Sequence, residues 1–108
     1  MPQWLGSMTY QDNQSLAGVF TIKGEQWVFE NPRSKPAATF QHAPAVVNIP
    51  WKEVENIRHS LRVREPFTAI ISGSTMEITW SNGVRITANV PHSGDYRYFS
   101  GEGGWRAQ

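Results

Sequence analysis

Hydrophobic and polar residues alternate along residues 67–90, which is typical of antiparallel strands with one buried face and one wet face. Two tight turns divide this stretch into three strands, and Asn82-Gly83 marks the second turn. We expect Trp80 to pair with Val84, which leaves a three-residue loop with Gly83 in the left-handed conformation. This pairing places the apolar residues of two strands on one face: Met76, Ile78, Trp80, Val84, Ile86, Ala88 and Val90.

Shorter segments elsewhere also have the composition of strands: 18–22, 26–30, 45–49 and 96–99. The first two are separated by Lys23-Gly24-Glu25, which predicts a hairpin turn. A proline-rich polar stretch at 31–36 then predicts an exposed loop.

Residues 51–59 predict a short helix, because Pro50 suits a first helical turn and apolar residues follow at helical spacing. These apolar residues are Trp51, Val54, Ile57 and Leu61, and we expect Trp51 to pack beside the others. At 60–64 polar and apolar residues alternate one by one, and this period of two predicts a short strand. Whether residues 51–64 are helix, strand or both stays open at this point.

About seven short strands and one short helix near residues 51–59 predict a mainly β fold. We expect residues 1–108 to form a single small domain, either an antiparallel barrel or a sandwich. Both ends of the chain, near 1–16 and 100–108, are polar or rich in glycine, so we expect them to be loosely ordered.

Composition narrows the classes of function. The chain has no cysteine, which excludes thiol catalysis, disulfides and thiolate metal sites. No apolar run approaches the roughly 18–20 residues of a spanning helix, so we expect no membrane insertion. No basic segment followed by an apolar one opens the chain, so we expect a cytoplasmic protein. Ten basic and nine acidic residues give a net charge of +1, which is too balanced for a dedicated nucleic-acid binder.

Two constellations contain residue types used in catalysis or metal binding. His92, Ser93 and Asp95 match a hydrolase triad, but they lie in one turn, whereas triads normally assemble from distant segments. Glu55 and His59 share one helix face, but a metal site needs three or four ligands. We interpret both as ordinary surface groups, and we expect no catalytic residue, no metal, no cofactor and no enzymatic activity.

Two surfaces could bind a partner. Arg62 and Arg64 share the outer face of the predicted strand at 60–64, where they could contact phosphate or pair with nearby carboxylates. The aromatic residues of the tail form the second candidate: Tyr96, Tyr98, Phe99 and Trp105. Exposed aromatic side chains are enriched where proteins meet. The alternative is that this tail folds back and closes one end of the barrel, because large aromatic side chains tend to be buried. We expect Trp27 and Trp80, which lie within predicted strands, to be in the core.

The leading hypothesis is therefore a non-catalytic binding module or small adaptor that engages a protein partner through an aromatic surface. An edge strand at Tyr96–Phe99 could also accept a strand from that partner or donate one to it. One alternative is a module that binds a polymer, either a glycan or single-stranded nucleic acid, by aromatic stacking. Another is a structural subunit that self-associates into a homo-oligomer.

Overall fold

Eight antiparallel strands close into a barrel in the structure, a computed structural model that describes residues 2–10, 16–31, 40–55, 57, 61, 65–90 and 97–107. The strands are β1 Gln3–Tyr10, β2 Leu16–Ile22, β3 Glu25–Asn31, β4 Phe40–Asn48, β5 Glu65–Ser72, β6 Thr75–Trp80, β7 Arg85–Asn89 and β8 Arg97–Ala107. The helix α1 spans Trp51–Val54 and connects β4 to β5. The prediction of a small, mainly β fold is confirmed, and of the two architectures the chain adopts the barrel.

The barrel is built from two Greek keys. Its strand order is β1-β2-β3-β8-β5-β6-β7-β4, and β4 pairs with β1 to close the ring. In the first half of the chain three successive strands are neighbours and the fourth returns beside the first, and the second half repeats this arrangement. As a result β1 and β5 lie on opposite sides of the barrel, four strands apart in either direction.

The hairpin between β6 and β7 has the predicted geometry. The Trp80 N–H donates to the Val84 carbonyl at 3.0 Å, and the Gly83 N–H donates to the Trp80 carbonyl at 3.0 Å. Gly83 is left-handed, with a φ of 91°. The Asn82 Oδ1 accepts a hydrogen bond from the Val84 N–H at 3.1 Å, which stabilises the loop locally. All seven apolar residues expected on one face are buried, so the predicted register is confirmed.

Gly83 is required in this loop for two reasons. A side chain at its φ of 91° is strained, and a Cβ would lie only 2.9 Å from Pro50 Cγ. We expect Gly83→Ala to lower the free energy of unfolding by about 1 kcal/mol in urea denaturation. Ser81→Ala, in the same loop but exposed, should change it by less than about 0.5 kcal/mol. Equal stabilities for the two variants would contradict this account of the turn.

Side chains rather than solvent fill the barrel, as expected for eight strands. Phe29 lies at the centre of an aromatic cluster. Its ring centroid is 5.6 Å from that of Phe67, 5.1 Å from that of Trp80 and 5.5 Å from that of Trp105. Phe20 joins the same cluster through Trp105, at 5.9 Å. The cluster therefore joins the two Greek keys, because Phe20 and Phe29 come from the first and the other three rings from the second.

The helical segment packs as predicted except at its first residue. Val54 and Ile57 pack against the core, and Leu61 is buried. The Leu61 N–H donates to the Ile57 carbonyl at 2.9 Å, a helical bond at a position where the sequence indicated a strand. The rest of 60–64 lies outside the described residues. In the part of the chain that the structure describes, no helix is long and apolar enough to cross a membrane.

Trp51 was expected to pack beside Val54, but it is 72% exposed. Side chains in a helix tilt toward its N-terminus. Because Trp51 is the first residue of α1, this tilt directs its side chain past the start of the helix. The prediction that Trp51 is buried was wrong for this reason.

Of the ends expected to be loosely ordered, near 1–16 and 100–108, the first contains β1 at Gln3–Tyr10, and the second belongs to β8, which continues the strand predicted at 96–99 as far as Ala107. β1 pairs with β2 and β4, and β8 pairs with β3 and β5. These pairings satisfy backbone hydrogen-bonding groups along both segments, and this long-range pairing orders them.

Candidate functional site

The structure separates the predicted contact residues of the tail. Tyr98 is 61% exposed, whereas Trp105 is 3% exposed. Tyr96, Arg62, Arg64 and the side chain of Phe99 lie outside the described residues, so their roles stay predictions. Tyr98 is therefore the residue on which a contact surface can be built.

The expectation that Trp105 lies on a contact surface is corrected by the structure. Trp105 sits opposite Phe29 in the register of β8 and β3, inside the aromatic cluster. Successive residues of β8 point to opposite sides of the sheet. Glu102 and Arg106 are an even number of residues apart and both point outward, whereas Trp105 is an odd number of residues from each and points inward. That alternation was present in the sequence, but the glycines at 101, 103 and 104 obscured it.

β8 changes neighbours along its length. It pairs with β5 along Arg97–Gly103 and with β3 along Gly104–Ala107. Among the described residues the first part of the strand, Arg97–Gly103, therefore has β5 as its neighbour on one side, and addition of a partner strand at Tyr96–Phe99 stays a prediction. The exposed side chain of Tyr98 offers a contact at the same place.

The outward side chains of β5, β6 and β8 form one continuous surface. Ile70 and Tyr98 are directly opposite each other on β5 and β8, and Ile70 is 37% exposed. Beside them runs a row of hydroxyls in register across three strands, formed by Thr79, Thr68 and Ser100. We call these five residues the Tyr98 face. None of the five carries a charge.

An open depression of about 360 Å³ adjoins this face. It is lined by Pro66, Phe67, Thr68, Thr79, Trp80, Ser81 and Ser100. Phe67 and Trp80 are buried, whereas the lining hydroxyl residues are exposed. The lining of the depression thus combines two buried aromatic residues with four exposed hydroxyl residues.

An ion pair borders the Tyr98 face. Arg85 on β7 and Glu77 on β6 approach to 3.6 Å, and their side chains are 46% and 43% exposed. An exposed pair of this kind contributes about 0–1 kcal/mol of stability. It leaves this border of the face polar but electrically balanced.

The tryptophans divide between core and surface. Trp27 and Trp80 are buried, as predicted, and Trp4 is partly buried and packs against the core. Trp51 is the tryptophan most exposed to solvent. Stacking of a polymer on several tryptophans is therefore less favoured than the sequence indicated.

Metal binding has no constellation among the described residues to support it. Within the ranges that the structure describes, no group of three or more His, Asp or Glu residues could hold a metal ion. His59 and the turn at 92–95 fall outside those ranges. Their interpretation as ordinary surface groups stays a prediction.

Comparison of the chain with protein-family models, with curated proteins and with solved structures found no match in any of the three.

Proposed function

We propose that this protein is a non-catalytic binding module that engages a protein partner through the Tyr98 face. The observation that supports this most directly is the exposed pair of Ile70 and Tyr98, opposite each other on paired strands of a closed barrel. Trp27, Trp80 and Trp105 are buried in the core, whereas Tyr98 is exposed to solvent.

The physical properties of the face suit protein recognition. A tyrosine offers a large contact area for the loss of few rotatable bonds, and it adds a hydroxyl that can hydrogen-bond. Pairing of β8 with β5, and of β5 with β6, holds Tyr98 and Ile70 in place, which lowers the entropy cost of binding. The hydroxyls of Thr68, Thr79 and Ser100 can pair with polar groups of a partner around this apolar centre.

We expect Tyr98→Ala to weaken partner binding by at least about tenfold, as truncation of an interface tyrosine commonly does. The measurement starts with affinity capture by the wild-type chain, and each captured protein is then purified and titrated against wild type and variant. Because Tyr98 is exposed, its replacement should shift the free energy of unfolding by no more than about 0.5 kcal/mol.

Trp51→Ala is the matched control, because Trp51 is another exposed aromatic residue but belongs to α1. It should leave binding unchanged. If Trp51→Ala abolishes binding and Tyr98→Ala does not, the surface is wrongly placed. Binding of a glycan or of single-stranded DNA that depends on Tyr98 would instead favour the polymer-binding alternative. Salt then separates these two ligands, since only nucleic-acid binding weakens steeply with ionic strength.

A further inference from the structure

Three neighbouring strands of the barrel contain no charged residue. β4, β1 and β2 lie side by side and have nine, eight and seven residues, none of which is Asp, Glu, Lys or Arg. Each of the other five strands contains at least one. The chain as a whole has ten basic and nine acidic residues, so this stretch of sheet is unusual within it.

The same strands expose an apolar band. Leu5 on β1 is 77% exposed, and Val46 on β4 lies directly opposite it. Val19 on β2, 40% exposed, is opposite Ser7 and therefore diagonal to Leu5. Polar uncharged residues flank the band, among them Gln3 and Asn48. We call this outward side of β4, β1 and β2 the Leu5 face.

We propose that the Leu5 face is the contact surface of a homodimer, in which it packs against the same face of a second copy of this chain. A two-fold axis brings a surface against itself, so charges near the axis would meet charges of the same sign. The Leu5 face avoids that repulsion because its strands carry none. Interfaces between unlike proteins are commonly matched by complementary charges, and this face offers none to match.

This inference is independent of the proposed function, because the two faces are on opposite sides of the barrel. Leu5 belongs to β1 and Ile70 to β5, which are four strands apart in either direction. A dimer through the Leu5 face would leave both copies of the Tyr98 face open. Three short strands provide less area than a standard protein interface, so we expect weak, concentration-dependent association.

The test is the solution mass by size-exclusion chromatography with light scattering, from roughly 10 µM to 1 mM. The wild-type mass should rise with concentration from the chain mass of 12.2 kDa toward twice that value. Leu5→Glu would bury an unpaired charge in the interface, so its dimer dissociation constant should rise by at least about a hundredfold. Leu5→Ser should shift it in the same direction by a smaller factor.

Tyr98→Glu is the matched control, because it places the same charge at an exposed site on the opposite side. It should dimerise as the wild type does, and equal melting temperatures at a concentration where all chains are monomeric would show that the variants are folded. A wild-type mass of 12.2 kDa at every concentration would overturn the proposal. So would a dimer that Leu5→Glu leaves intact, or one that Tyr98→Glu disrupts instead.

Discussion

Phe29→Ala should lower the free energy of unfolding by about 3–5 kcal/mol, the largest effect that we expect from any single change. Phe29 is fully buried, and its ring lies within 5.6 Å, centroid to centroid, of the rings of Phe67, Trp80 and Trp105. Removing it leaves a cavity between the two Greek keys that three large, rigid rings cannot fill by small movements. Urea denaturation monitored by tryptophan fluorescence measures the change.

Gln26→Ala is the control for that experiment, because Gln26 is on the same strand and is exposed. It should change the free energy of unfolding by less than about 0.5 kcal/mol. A loss below about 1 kcal/mol for Phe29→Ala would mean that this cluster does not hold the two halves together.

Gly103→Ala should lower the free energy of unfolding by about 1–3 kcal/mol, although it adds a single methyl group. Gly103 is buried on β8, and a Cβ there would overlap the edge of the Phe29 ring and lie 3.1 Å from Phe67 Cε2. Both rings are held by other aromatic side chains, so neither can move aside cheaply. The same denaturation experiment applies.

Gly104→Ala provides a neighbouring comparison, because alternation along β8 directs a Cβ at this position outward. It should be neutral or slightly stabilising, since alanine restricts the unfolded chain more than glycine does. Equal losses at Gly103 and Gly104 would point to an effect on the strand backbone rather than to a clash with Phe29.

The best sequence predictions concerned segments whose structure is decided by near neighbours. The loop at 81–83 depends on the conformational freedom of Gly83 and on the parity of the strands beside it, both of which are visible in the sequence. The packing of Val54, Ile57 and Leu61 follows in the same way from helical spacing.

The sequence did not predict β1, because the alternation of apolar and polar residues along this strand is broken at Leu5 and Gly6. Its inward residues include Met8 and Tyr10, which are buried, but also Gly6, which interrupts the apolar alternation. Gly6 faces the Phe20 ring, which occupies the space a side chain would take. Leu5 is an apolar residue on the outer side of the strand, where the alternation calls for a polar one. Nothing within β1 itself explains why Leu5 is exposed.

The amino-acid sequence by itself determined the strand class, the register of the β6–β7 hairpin and the apolar side of the helical segment. These follow from steric limits on the backbone and from periodicity over a few residues. Only the tertiary structure decided that the ends of the chain become β1 and β8, that Trp105 is buried and that Leu5 is exposed. Those outcomes depend on pairing between residues far apart in sequence, such as Phe29 with Trp105 and Leu5 with Val46. Local periodicity carries no information about which distant strand will become a neighbour.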